Sequence, residues 1–217
     1  MARLDGAYIR RMEELLRLYE RPPDPAEPVL CVDEKPVLLR DEVAPWQPAR
    51  PGRSARRDSA YRRCGTANVF CVIEPGRGRH FTRATPNRTG VALAQLLRDL
   101  VRRYPHARVL HLVLDNLSTH ARSSLVRAFG PAHADRLWRR LHLHFTPVHA
   151  SWLNPAEIEA SLLSRQCLAH RRLASFDHLE REVRAWNRSL DDLRRPIHWR
   201  FDRAAARRVF AYQSARI

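Results

Sequence analysis

Residues 108–115 read RVLHLVLD. Apart from His111, every residue between Arg108 and Asp115 is apolar. A half-buried strand alternates apolar and polar residues, so this near-continuous run predicts a short strand covered on both faces. It ends in a carboxylate, Asp115. In open α/β sheets the carboxyl ends of strands are where ligands bind, but Asp is equally common there as a helix cap or Asx turn.

Helical and strand patterns surround this run. Upstream, NRTGVALAQLLRDLVRRY at 87–104 predicts a helix closed by Pro105. ANVFCVIE at 67–74 and RHFTRAT at 79–85 flank the turn residues PGRG and predict a hairpin. VLCVDEKPVLL at 29–39 reads as a strand, a turn near Pro36 and the start of a second strand. Downstream, helices are expected within 118–129 and 131–140. LHLHFTP at 141–147 is expected as a strand, followed by helices at 154–169 and 175–190. IHWRF at 197–201 suggests a last short strand, and DRAAARRVFAYQ a last helix. Strands first, then alternating helices and strands, give an α/β domain on a mixed sheet. Residues 1–28 form an N-terminal helix, with Ile9, Met12, Leu16 and Tyr19 at helical spacing, and a proline-rich linker. Residues 29–217 are the main domain.

The 217-residue chain carries 39 Lys and Arg against 23 Asp and Glu, a formal net charge of +16. Such a surplus favours a polyanion partner, because each neutralised phosphate releases counterions. Arg50, Arg53, Arg56, Arg57, Arg62 and Arg63 crowd a Pro- and Arg-rich stretch, 44–63, read as a long exposed loop. They are candidate nucleic-acid-backbone contacts, with a solvated loop as the alternative. Trp46 and Tyr61 flank the loop and are expected to pack. No apolar run reaches the roughly 18 residues of a membrane span, and no signal-peptide core opens the chain. Cys31, Cys64, Cys71 and Cys167 are scattered without a C-x-x-C pair, as in a reduced cytosolic protein.

Three acids occupy informative positions. Asp33 follows an apolar run and needs either an arginine partner or a functional reason, because an unpaired buried charge is costly. Asp115 ends the buried strand. Glu157 stands at the third position of a helix opened by Asn154 as N-cap and Pro155, a capping-box-like start. At about 100° per residue, Glu157 and Glu159 diverge by roughly 200° and cannot serve one site. Glu157 shares its face with Ala160, Ser161 and Ser164. Glu159 shares its face with Leu162, Leu163 and Gln166, a packing or salt-bridge role. Strand alternation excludes Glu34, and His120 is left outside the set. Trp152 is expected to anchor the entry to the helix.

Together, VLCVDEKP, LVLDNLSTH and TPVHASWLNPAEIEASLLSRQCL resemble the three catalytic blocks of DDE transposases. The similarity is to the bacterial insertion-sequence branch of the mariner-like superfamily (the insertion sequence six-thirty type), and GTANVF and WRF also resemble that branch. The resemblance implies an RNase H-like fold, a mixed five-stranded sheet flanked by helices. It also implies a catalytic, metal-binding triad of Asp33, Asp115 and Glu157. Two Mg²⁺ ions, with Mn²⁺ as a substitute, would be held about 3.5 to 4 Å apart. The implied activity is cleavage of double-stranded DNA at transposon ends and strand transfer into a target, in the cytoplasm at the bacterial nucleoid. Relatives carry an upstream helix-turn-helix region, whereas this chain starts at the helix expected to follow it. A separately encoded helix-turn-helix protein and a homodimer are therefore the candidate partners. The alternative is a catalytically silent or truncated fragment that binds DNA or regulates a full-length transposase.

Overall fold

The computed structural model describes residues 5–44, 47–56, 59–115, 122–169, 171–191 and 195–212. Helix α1 spans Gly6–Tyr19, strand β1 Val29–Glu42, β2 Tyr61–Glu74, β3 Arg79–Thr85, α2 Gly90–Arg103 and β4 Leu110–Leu114. Then come α3 Arg122–Phe129, α4 Pro131–Trp138, β5 Leu141–Phe145, α5 Ala156–Leu162, α6 Phe176–Asp191 and α7 Arg203–Phe210. The strands make one sheet in the order β3-β2-β1-β4-β5. The β1–β2 and β2–β3 pairs are antiparallel, while β1–β4 and β4–β5 are parallel. This is the mixed five-stranded sheet expected.

Strand β4 is buried along its whole length. Leu110, Leu112 and Leu114 pack with Leu30, Val32, Phe70 and Val72 under α2, α3 and α4. Val113 points the other way and packs with Cys31, Ile73, Leu16 of α1, and Ala206 of α7. A third cluster on that second face joins Val69 and Cys71 to Leu163, Leu179, Val183 and Trp186. Helices thus cover both faces, which is why β4 has no polar alternation. Each leucine buried there contributes about 1.5–3 kcal/mol.

The hairpin at 67–85 forms, but β2 starts earlier, at Tyr61. Its turn needs Gly78, which takes φ 61°, and a Cβ there would lie 2.3 Å from the Arg195 carbonyl carbon. Three sequence expectations are corrected. No turn forms at Pro36, since β1 pairs with β2 continuously through Pro36↔Asn68 and Val37↔Ala67. β4 pairs with β1 only over Val29–Cys31, so among the described residues β1 has no strand on its second side beyond Cys31. A proline is tolerated in such an edge stretch, where no ladder bond requires its missing N–H. Residues 61–63 are strand, not loop. Residues 197–201 form no strand, although Trp199 Nε1 donates to the Phe201 carbonyl at 2.8 Å and the Ile197 N–H donates to the Pro75 carbonyl at 2.9 Å. Cys31, Cys64, Cys71 and Cys167 are all unbridged. Among the described residues, no helix is long and apolar enough to cross a membrane.

Candidate active site

The parallel register Cys31↔Val113, carried two residues further, sets Asp33 beside Asp115 on the face that α5 covers. Asp115 directly follows β4, where the sheet stops supplying neighbours. Asp33 lies where β1 has just parted from β4. The two carboxylates therefore meet at the fork between the strands. Glu34 alternates to the face shared by its register partner Phe70, as strand geometry requires.

Helix α5 brings the third acid. Asn154 sits just ahead of it and is buried. Its side-chain oxygen accepts the Ala156 N–H at 3.1 Å, and its Nδ2 donates to the Val32 carbonyl at 2.8 Å. The helix start is thereby tied to the residue preceding Asp33. The reciprocal half of a capping box is not formed: the Asn154 N–H is taken by the Ser151 carbonyl at 2.7 Å. Glu157 is therefore released from cap duty, and its side chain is exposed.

The electrostatics link the three acids. The Asp33 carboxyl is pushed up to about 6, first by burial, with the charges of Glu157, Asp115 and Glu34 adding to it. The Glu34 N–H, donating to Asp33 Oδ1 at 2.8 Å, acts in the opposite sense. Among the described residues, no basic side chain pairs with Asp33 or Glu157, so the ion-pair explanation for Asp33 does not hold. Mutually repelling carboxylates on three converging elements fit a site for hard divalent cations, which take oxygen ligands.

Glu159 separates from Glu157 as helix geometry requires. It is fully buried and shares a hydrogen bond with His80 Nδ1 of β3 at 2.6 Å. This is a structural anchor for α5, more deeply enclosed than the expected packing or edge salt bridge. The expected long helix at 154–169 instead changes at Leu163–Leu168 into a π-helical turn. Such turns are frequent at functional sites. Trp152, 40% exposed, meets the Phe201 ring edge-on at 5.3 Å and so links the approach to α5 with the C-terminal segment.

Arg50, Arg53 and Arg56 are exposed on a tight fold-back held by the pairs Gln47↔Arg56 and Arg50↔Arg53. Arg62 and Arg63 project from the start of β2, and Arg62 is ion-paired to Asp41 of β1. Arg57, Trp46 and His120 lie outside the described residues. Tyr61 packs beneath the Arg40 guanidinium, 4.6 Å from its ring centre. Sequence reading missed both the Asn154–Val32 tie and the Glu159–His80 pair. Asn directly before Pro signalled only a cap, and a lone His in a strand signalled nothing.

Among curated proteins, none matches the sequence. Three solved structures are similar to the chain. The Mos1 strand transfer complex aligns with TM-score 0.55 and 16% identity over 87% of this chain and 56% of that one. The mariner Mos1 paired end complex with Mg gives 0.54 and 18%, over 88% and 58%. The Mos1 transposase paired-end complex with left transposon end gives 0.53 and 15%, over 87% and 56%. The chain therefore spans little more than half the length of these proteins, and at such identities the likeness is one of fold, RNase H-like. The model of one family, the DDE superfamily endonucleases, matches residues 28–180. That stretch runs from just ahead of β1 into α6 and contains Asp33, Asp115 and Glu157. This chain belongs to the DDE superfamily endonuclease family.

Proposed function

We propose that this chain is the catalytic domain of a transposase of the bacterial insertion-sequence branch of the mariner-like superfamily. It cuts double-stranded DNA at transposon ends and joins them to target DNA. The observation that carries the proposal is the convergence of Asp33, Asp115 and Glu157 from three elements onto one fork of the sheet, with no arginine on Asp33 or Glu157 among the described residues.

Asp33 and Asp115 are the core metal ligands and Glu157 completes the set. Held there, paired Mg²⁺ or Mn²⁺ ions supply activation of the attacking oxygen and neutralisation of the leaving one. In the first step a water oxygen attacks the scissile phosphorus and the bond to the 3′-oxygen breaks. A proton passes to solvent, leaving a 3′-hydroxyl and a 5′-phosphate. In the second step that hydroxyl attacks a target phosphodiester, so one P–O bond forms as another breaks. Arg50, Arg53, Arg56, Arg57, Arg62 and Arg63 steer and seat the DNA backbone, contacts that position without reading sequence. End recognition comes from a helix-turn-helix module, encoded with the chain or separately, and the working unit is a homodimer at the bacterial nucleoid.

The test is supercoiled-plasmid nicking with Mg²⁺, comparing wild type with Asp115→Asn. Metal-dependent nicking that falls at least 10³-fold in the variant supports the proposal. DNA binding without nicking would identify a silent, regulatory fragment instead.

A further inference from the structure

On the same sheet face as the triad, nearer the sheet edge, three histidines cluster. His111 of β4 pairs in register with His142 of β5, and Val113 with His144. One ring nitrogen from each of the three lies within 4.8 Å of the other two. His142 stacks on His144 with ring centres 4.6 Å apart. His111 and His144 are buried, whereas His142 is exposed.

The hydrogen bonding is unusual. His111 Nε2 lies 3.3 Å from Glu27 Oε2, and His144 Nδ1 lies 2.7 Å from Glu14 Oε1. Each carboxylate can only accept, so it fixes the outer nitrogen of its histidine as the protonated one. The inner nitrogens, His111 Nδ1 and His144 Nε2, then face each other with lone pairs at 2.9 Å. Two facing lone pairs repel unless a cation lies between or beside them.

We propose that His111, His142 and His144 bind a borderline divalent transition-metal ion of the Zn²⁺ class, with Glu27 and Glu14 as the carboxylates that orient two of the ligands. Neutral imidazoles suit Zn²⁺, Co²⁺ and Ni²⁺, whereas Mg²⁺ prefers oxygen. Carboxylate-backed histidines are the usual support of such ions. Zn–N bonds of about 2.0–2.1 Å place tetrahedral ligands roughly 3.4 Å apart, so the inner pair opens by a few tenths of an ångström while exposed His142 swings in. The fourth position is left to water. His111 precedes Asp115 by four residues, about 13 Å along the strand, so this centre is separate from the carboxylate triad. Glu14 belongs to α1 and Glu27 to the linker before β1, so the ion fastens both to the sheet edge.

The test is Co²⁺ titration of tag-free protein in millimolar Mg²⁺, followed by visible absorption, for wild type, His142→Ala, Glu14→Gln and Asp115→Asn. Wild type and Asp115→Asn should each bind one equivalent with the intense bands of a four-coordinate ion. Binding should weaken at least tenfold in His142→Ala, whose truncated side chain is exposed, and about 10- to 100-fold in Glu14→Gln. Far-UV circular dichroism establishes that each variant is folded. Absence of saturable bands in folded wild type, or bands abolished in Asp115→Asn and kept in His142→Ala, would overturn the assignment.

Discussion

Asn154 Nδ2 donates to the Val32 carbonyl at 2.8 Å, so the start of α5 is fastened to the residue that precedes Asp33. The same side chain accepts the Ala156 N–H. One buried amide thus sets the spacing between two elements of the site. Asn154→Ala leaves a buried carbonyl and a helix N–H unpaired, at a cost of about 1–3 kcal/mol for each group left unsatisfied. Urea unfolding should read that loss. Nicking at temperatures where the variant stays folded should fall about tenfold or more, because Glu157 loses its fixed distance from Asp33. Unchanged nicking in a folded variant would remove Asn154 from the positioning of the site.

Asp33 gives a pH prediction. Its carboxyl titrates near 6 in the fold against 3.8 ordinarily. Between those values the unfolded chain has released the proton that the native chain retains. Stability of the metal-free protein therefore falls as pH rises from about 4 through about 6, by on the order of 3 kcal/mol. Asp33→Asn should flatten that part of the curve and raise the melting temperature at pH 7. Added Mg²⁺ should stabilise wild type at pH 7 more than the variant. Equal pH curves for the two proteins would refute the shared-site electrostatics.

Glu157 and Glu159 are expected to fail in opposite ways. Glu157→Gln should abolish nicking without loss of stability, because the side chain is exposed and its charge repels Asp33. His80→Ala leaves the Glu159 carboxylate buried and unpartnered, which costs about 3–5 kcal/mol. Thermal melts and plasmid nicking on both variants separate the two roles.

The arginine fold-back predicts a salt signature. Replacing Arg50, Arg53 and Arg56 by Ala should reduce the slope of log binding constant against log salt by about 0.9 for each phosphate that is no longer neutralised. Arg62→Ala should have a smaller effect, because Asp41 already holds that guanidinium. Fluorescence anisotropy on duplex DNA from 50 to 200 mM salt measures both.

Much of this was legible in the sequence for a physical reason. Burial on both faces left RVLHLVLD no polar alternation, so the inner strand β4 and the position of Asp115 could be read directly. The helical angle separated Glu157 from Glu159, and the structure finds one exposed and the other fully buried. What escaped was set by partners distant in the chain. Pro36 signals a turn locally, yet 61–74 pairs with β1 across it and overrides the signal. Asn154 reads as a cap, but its second bond reaches 122 residues back to Val32. The π-helical turn at Leu163–Leu168 has no breaker residue to announce it. The three histidines stand on two strands, and only the β4–β5 register makes them neighbours.

Pro36 has a consequence for self-association. From Val32 onward β1 carries no neighbouring strand on its second side among the described residues, and such an edge is a template for strand addition by a second copy. A proline there removes a donor from the template, and the bulge between Leu38 and Arg40 breaks its regular spacing. Two further groups of that edge are already engaged, the Val32 carbonyl by Asn154 Nδ2 at 2.8 Å and the Arg40 N–H by the Leu173 carbonyl at 2.9 Å, so the arm of β1 that leads toward the arginine fold-back is guarded against edge-to-edge aggregation.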